Sequence, residues 1–519
     1  MANRASALFD RAAGLGSKPA LIFAGQTITF ADLARRVCQM AGGLASLGTG
    51  KGSHVGLMLS SGPEFIIAQQ ALFALGAVVT PLNTQYKPRE IAHAVACCRL
   101  TAIITDAAHA EVCASVRVPV IRVDDAGDGL SLPYAGARSR PLEAPVFCAE
   151  SDPAMLLLTS ATTGKAKGVL LTQGNLAANY DRTPEWLGLD QSAVILCALP
   201  LFNTFGLNQG INAMLTTGAA MVLLPRFSAA DCIAAMRDHG CTFMPAVPTM
   251  LQKILDEPCD DPGALRSLRR IMTGGAPVPA TLLRSLLRRA PGAEILTGYG
   301  LTEGTALVTL GPVLLDGEGE VIRPRSIGRV LDGIELAILD ENGAPVSDQA
   351  TGELAIRGPN VMAGYFQAPA DNAVALRDGW LHTGDIGYLD ADGFAYIVDR
   401  RKDVIIRGGQ NIYPADIEEV LYAAGVAEAA VVGRPEPVLG EVPVAFVATG
   451  GAGALDMAAL LDHCRENLAA YKLPAAIHIL PELPKGPTGK ILRRALRDAW
   501  FEDSGQSAHA GLPQQDETA

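Results

Sequence analysis

The chain has 519 residues, 49% of them hydrophobic and 18% charged, which suits roughly two to four globular domains with sizeable cores. Its 42 Lys and Arg stand against 54 Asp and Glu, a net charge of −12 with no basic run. That excludes a general binder of nucleic acid or of anionic membranes. The mean hydropathy is +0.23, yet neither apolar stretch is a clean span of about 20 residues. Gln69 and Gln70 interrupt Phe65–Leu82, and Asn212, Thr216 and Thr217 interrupt Gly210–Pro225. The opening MANRASALFDRAAGL carries Asp10 and no continuous apolar core, so no secretory signal is expected. Ten cysteines include the adjacent Cys97–Cys98 but no CxxC pair. A disulfide framework and a zinc ribbon are excluded; buried thiols in a reducing cytoplasm are expected.

In chain order, residues 54–60 (HVGLMLS) predict a buried strand, and Ser61-Gly62-Pro63 a turn. Residues 64–75 predict a helix and 76–81 a second strand. This strand–helix–strand unit favours a parallel sheet. A further unit follows with a helix over 88–97 and a strand over 101–105. Residues from about 123 to 150 are rich in Asp, Gly, Ser and Pro and read as surface loop. Three glycine-containing segments, 159–168, 273–279 and 297–303, read as loops at strand ends where backbone approaches a ligand. From Arg329 the texture changes to short antiparallel strands, such as 334–339 and 352–357, joined by turns. The charged segment 399–403 marks a domain boundary. Beyond it come a helix from Pro414, strands over 427–433 and 442–448, and a helix over 456–469. The last residues are small and polar and predict a frayed tail.

Residues 159–168 (TSATTGKAKG) lie between the apolar strands 155–158 and 169–171. Hydroxyls, glycines and lysines in one turn are what a polyphosphate needs: N–H and O–H donors and a cation. It is not a Walker A loop, because Ala166 follows Gly164-Lys165 and Thr159 holds the first glycine position. A polar hairpin is the plain alternative. Residues 298–303 (GYGLTE) nearly mimic a dinucleotide fingerprint but end on Glu303 instead of glycine. They offer an aromatic face for a base and a carboxylate for Mg²⁺, or an ordinary strand-end loop. WLHTGD (380–385) and DRRKD (399–403) place an acid and a base on opposite sides of a hairpin. A ribose grip and a surface ion pair both fit that. KGPTGK (485–490) is a tight turn presenting a lysine, and most such lysines are merely solvated.

Nine collinear stretches change these odds. They are TSATTGKAKGV, PLFNTFGL, VPTM, GGAPVP, GYGLTE, GELAIRGPNVMAGYF, WLHTGDIGYLD, DRRKDVIIRGGQNIYPADIEEVL and PKGPTGKILRR. In order and spacing they resemble the adenylate-forming superfamily of acyl-CoA synthetases, luciferases and peptide-synthetase adenylation domains, from about Ala31 to Leu496. The resemblance implies an α/β fold: a large N-terminal domain of parallel α/β sheets with a β-rich subdomain, then a small mobile α+β C-terminal domain. The expected limits are 1–398 for the ATP- and acyl-binding domain, 399–402 for the hinge, 403–500 for the mobile domain and 501–519 for a disordered tail.

The resemblance implies an ATP-dependent acyl-CoA ligase of the fatty-acid type. It would form acyl-AMP and pyrophosphate, then pass the acyl group to CoA, with ATP, Mg²⁺ and CoA required. Thr159, Ser160, Thr162, Thr163, Gly164 and Lys167 match the phosphate loop. Glu303 matches the metal-binding glutamate, beside Thr302. Tyr299, between Gly298 and Gly300, matches the adenine-stacking aromatic, facing Gly274, Gly275 and Ala276. Asp385 and Arg400 match the ribose pair. Lys490 matches the lysine bridging substrate carboxylate and α-phosphate. Lys402 matches the hinge, and Gly408, Gly409 and Gln410 the lining of the thiol tunnel. Asn203, Phe205, Gly206, Met244, Ala246, Val247, Gly275, Thr305 and Ala306 are the implied acyl-site walls.

Four residues depart from the family pattern. Ala161 replaces a glycine, Ala166 a proline, and Asn203 and Gln173 replace frequent histidines. No catalytic histidine is therefore expected. An uncharged Asn203 disfavours an α-amino acid, and mostly small or apolar walls favour a hydrophobic acid, at about 0.8 kcal/mol per buried CH₂. Loading of a carrier-protein thiol and a non-catalytic binding protein are the alternatives. The second conflicts with the joint presence of Lys167, Glu303, Asp385, Arg400 and Lys490. The expected partners are small molecules, without nucleic acid or membrane insertion; a carrier protein and a homodimer stay open.

Overall fold

The computed structural model describes residues 3–123, 140–159, 166–259, 261, 263–276, 278–346, 349–401, 403–408, 410–449, 456–486 and 491–502. Ser160, Ala161, Thr162, Thr163, Gly164, Lys402, Gly409 and Lys490 lie outside them.

Two large sheets organise the first unit, Met1–Thr383 with Gly387–Ile397. β1 (Pro19–Phe23) and β2 (Gln26–Thr29) form a hairpin. β3 (His54–Met58), β4 (Val78–Pro81), β5 (Ala102–Thr105), β6 (Val120–Arg122), β7 (Pro153–Leu158) and β8 (Gly168–Thr172) belong to the seven-stranded sheet seen among the described residues. β3, β4 and β5 are parallel neighbours. Their near-continuous Val, Ile and Leu content is what burial on both faces requires. The helix Pro63–Ala74 is buried along its length, and its Gln69 and Gln70 bond to each other inside the core. The apolar stretch that invited a membrane reading is thus a core helix and strand. Among the described residues no helix is long and apolar enough to cross a membrane.

β9 (Val194–Cys197), β10 (Ala220–Leu223), β11 (Phe243–Ala246), β12 (Arg270–Gly274) and β13 (Glu294–Leu301) build the other sheet in the order β13-β12-β11-β9-β10. All five run parallel. From β9 the chain moves one way to β10, then crosses back to β11 and continues to β13. The strand order therefore reverses between β9 and β11, the point at whose carboxyl ends open α/β sheets bind ligands. β14 (Ala306–Pro312) returns antiparallel to β13, and the sheet runs on into the hairpin-rich strands 326–400.

The expected loop over 297–303 is largely strand: β13 continues to Leu301, with a one-residue irregularity between Tyr299 and Gly300. Gly300 is required there, because a Cβ would sit 1.7 Å from the Ala306 carbonyl oxygen. Residues 273–274 likewise finish β12. The expectation of strand-end loops is thus corrected: close backbone approach across the strands keeps Gly274, Gly298 and Gly300 in the sheet.

The second unit, Gly384–Ile386 with Val398–Ala519, has its own core of Ile405, Ile417, Leu421, Val431 and Ala445. Strands Glu428–Glu436 and Gly440–Ala448 pair antiparallel, and Ala476–Leu480 joins the latter in parallel. Helix Met457–Asn467 starts where Asp456 accepts the N–H groups of Ala458 and Ala459.

Candidate active site

The carboxyl ends of β9, β11, β12 and β13 bring most of the expected acyl and adenine residues onto one sheet edge. Register sets Ala246 against Thr273 and Gly274 against Gly298. Val247, Gly275, Ala276 and Tyr299 continue from these positions. Met244 and Ala246 are fully enclosed, and Val247 is buried. Gly275 turns the chain away from the sheet at φ +80°. Thr305 and Ala306 have φ of +58° and +93°, conformations uncommon for side-chain-bearing residues and concentrated at functional sites.

Asn203 follows β9. Its Oδ1 accepts the Gly206 N–H at 3.0 Å and so caps the turn that leads into a π-helix over Leu207–Asn212. Asn203 has a backbone partner of its own, whatever it does toward a substrate. Gln173 is fully buried and accepts the Arg4 N–H at 3.1 Å, which gives it a structural place.

β7 and β8 flank the expected phosphate loop, closed at its base where Thr159 N–H donates to the Lys167 carbonyl at 3.0 Å. His93 Nε2 lies 2.8 Å from the Ala166 carbonyl, so Ala166 is held without the usual proline. The short strand Gly364–Tyr365 pairs with β8. Segment 359–366 thereby links β8 to Glu303. Asn175 Nδ2 donates to the Pro359 and Val361 carbonyls, both at 2.8 Å. Asn360 donates to the Gly304 carbonyl at 3.0 Å, and Met362 N–H to that of Glu303 at 2.8 Å.

Tyr365 stands at the junction. Its hydroxyl donates to Glu303 Oε1 at 2.9 Å, and the Lys167 ammonium sits 5.0 Å from its ring centre. Burial, then the Glu303 charge, holds the phenol well above its usual pKa, so it stays a donor. Asp371, in the first turn of helix Pro369–Ala375, forms an ion pair with Lys167. Tyr365 lies in one of the nine matching stretches, but neither it nor Asp371 stands out in the sequence. A tyrosine 62 residues from its carboxylate partner leaves no local signal.

Glu303 follows β13 as the middle residue of the turn Thr302–Gly304, a half-buried carboxylate on irregular backbone. No group of three His, Cys, Asp or Glu that could hold a metal alone exists among the described residues. One carboxylate suits Mg²⁺, which keeps waters and takes substrate phosphate oxygens as its other ligands.

In the second unit Asp385 is buried and Arg400 Nε lies 3.2 Å from its Oδ1. The acid and base expected across a hairpin do meet. Gly408 has φ +56° between strands Ile405–Arg407 and Gln410–Ile412.

A model of AMP-binding enzymes matches residues 8–366, and one of their C-terminal domain matches 416–490. A feruloyl-CoA synthase of Amycolatopsis sp is 35% identical over 502 residues, covering 93% of this chain and 98% of that protein. A long-chain-fatty-acid–CoA ligase of Bacillus subtilis is 31% identical over 535 residues, covering 96% and 94%. The structure of an O-succinylbenzoate coenzyme A synthetase from Bacillus subtilis, in complex with ATP and magnesium ion, superposes with a TM-score of 0.83 at 33% identity. It covers 95% of this chain and 99% of that one.

Proposed function

The chain belongs to the AMP-binding enzyme family and is an acid–thiol ligase using ATP, Mg²⁺ and CoA, and on that premise we propose that its acid is hydrophobic, a fatty acid in the first instance. The observation that carries this is the edge at the reversal of strand order. Gly206, Met244, Ala246 and Val247 are buried there, and none of the candidate wall residues is a cation that would meet a second carboxylate. Of the relatives named above, one is named for feruloyl-CoA, one for long-chain fatty acids and one for O-succinylbenzoate, so aromatic, fatty and second-carboxylate acids all belong in the test.

The roles proposed for this chain's residues follow from charge and placement. Thr159, Ser160, Thr162, Thr163, Gly164 and Lys167 hold the departing pyrophosphate. Glu303 binds Mg²⁺, which when bound neutralises phosphate charge during in-line displacement. Tyr299 stacks on adenine, with Gly274–Ala276 opposite. Asp385 and Arg400 receive the ribose hydroxyls, a role supported by their contact. Lys490 meets the α-phosphate and the acyl carboxylate. Lys402 serves as hinge, and Gly408–Gln410 line the thiol path. No proton carrier is needed, so positioning and charge neutralisation supply the rate.

CoA-thioester formation across graded straight-chain acids, hydroxycinnamic acids and dicarboxylates tests the substrate reading. Hydrophobic monocarboxylates should give the highest kcat/KM. A dicarboxylate or a short polar acid at the top would overturn it. Competition between CoA and a carrier-protein thiol in the same assay checks the acceptor.

A further inference from the structure

The ion pair between Lys167 and Asp371 places a fixed carboxylate on the cation proposed to hold pyrophosphate. We infer that Asp371 is a built-in counter-ion, which occupies Lys167 until nucleotide phosphate displaces it and so weakens ATP binding. The inference rests on the proposed phosphate role of Lys167.

The geometry supports displacement over a permanent structural pair. The two side chains are 30% and 41% exposed, so neither is sealed from water and the contact can be exchanged. Pairs open to water on both sides, as this part-buried one is, are weaker and more salt-sensitive than sealed ones. The surroundings are otherwise firmly held. Asn372, next to Asp371, accepts the Tyr365 N–H through Oδ1 at 2.6 Å and donates Nδ2 to the Tyr365 carbonyl at 3.0 Å. That clamp fixes the helix turn bearing Asp371 to the strand bearing Tyr365. The Tyr365 ring then supports the Lys167 ammonium on a second side. Lys167 is thus presented on a rigid frame with one exchangeable anion. A phosphate carrying more negative charge than one carboxylate competes for the same ammonium.

The consequence is direct. Removing the Asp371 charge should strengthen ATP binding, whereas removing an ordinary structural pair should leave it unchanged or weaken it. It also makes nucleotide affinity less steeply dependent on salt in the wild type than in the variant. Added ions release Lys167 from Asp371 as well as weakening its hold on phosphate.

The test is equilibrium binding of ATP and of pyrophosphate, with Mg²⁺ and without acid, by calorimetry at low and high salt. It uses the whole chain as wild type, Asp371→Asn, Lys167→Ala and the double variant. Asp371→Asn should bind both ligands about two- to fivefold more tightly at low salt, the scale of an exposed pair. The gain should shrink at high salt and vanish in the Lys167→Ala background. Unchanged or weaker binding by a folded Asp371→Asn overturns the inference. So does a gain that persists without Lys167, which would mark plain repulsion between Asp371 and phosphate. Weaker binding by Lys167→Ala supports the underlying phosphate role independently of Asp371. Failure of the wild type to bind ATP would overturn that role and the inference together.

Discussion

Tyr365 gives its hydroxyl to Glu303 Oε1 and its ring to Lys167, so one side chain touches both groups proposed to handle phosphate and metal. A hydrogen bond to one carboxylate oxygen fixes which way the other faces, and such supporting partners commonly govern metal affinity. Tyr365→Phe keeps the ring and removes only that donor. The Mg²⁺ concentration for half-maximal ATP binding should rise about tenfold, while the melting temperature changes little. Calorimetric Mg²⁺ titration in the presence of ATP measures this, and an unshifted midpoint would leave Tyr365 a packing residue. Asn203 presents a separable case, because it caps the Thr204–Gly206 turn. Asn203→Ala should lower stability by about 1 kcal/mol, whereas Asn203→Asp keeps the acceptor and the cap. If Asn203 also walls the acyl site, the aspartate should lower kcat/KM for hydrophobic acids and reorder the ranking. An unchanged ranking confines it to capping. At this scale the motif residues could be nominated from the sequence because short chemical patterns carry them. Tyr365, Asp371 and the Asn203 cap were not, since each depends on a backbone path that only folding supplies.

Secondary structure was most legible where period and punctuation agreed. The strand–helix–strand unit lies where the apolar run, the turn and the helical spacing placed it, with Pro63, expected in the turn, opening the helix Pro63–Ala74. The π-helix Leu207–Asn212 left no such trace, because its apolar and amide residues are buried all round and show no amphipathic period. In the second unit, helix Pro414–Ala423 is fixed by buried charge instead of apolar period alone. Glu418 accepts the Val431 N–H at 2.8 Å and two bonds from Arg493, at 2.7 and 2.8 Å. Asp399 accepts the N–H groups of Arg400 and Ala415. Burial pushes the Asp399 carboxyl from 3.8 up to about 6; Glu418 adds to the rise, while Arg493 and the two N–H groups oppose it. The folded state therefore binds this proton more tightly than the unfolded chain does. Its contribution to stability is fully present below about pH 4 and is lost as pH rises through about 6. The melting temperature of the wild type should fall relative to Asp399→Asn between those limits. Parallel curves for the two proteins would show that Asp399 titrates elsewhere.

At the scale of the whole chain, two units divide the motifs between them, and neither unit alone carries the full set. The segments proposed as phosphate loop and acyl walls, with Glu303, fall in the sequence range of the first unit; Asp385, Arg400, Gly408–Gln410 and Lys490 fall in that of the second. Collinearity made the reaction class legible, since nine spaced patterns constrain one another more tightly than any one constrains chemistry. The acid was not legible to the same depth, because a set of small and apolar candidate wall residues carries no measure of the acid's length or shape. The division predicts that the two half-reactions can be separated by mutation within the second unit. Lys490→Ala should lower acid-dependent ATP–pyrophosphate exchange about 100-fold or more, as expected when one charge-stabilising donor is lost. Thioester formation from preformed acyl-AMP should be largely retained, because no phosphate bond to ATP breaks in that step. Gly409→Leu should do the opposite: a side chain on a backbone-lined thiol path obstructs pantetheine and leaves exchange intact. Both half-reactions are measured on each variant, with a melting curve to exclude misfolding. Equal losses in both steps for either folded variant would mean that Lys490 and Gly409 serve one shared conformation, and the proposed division of labour would fall.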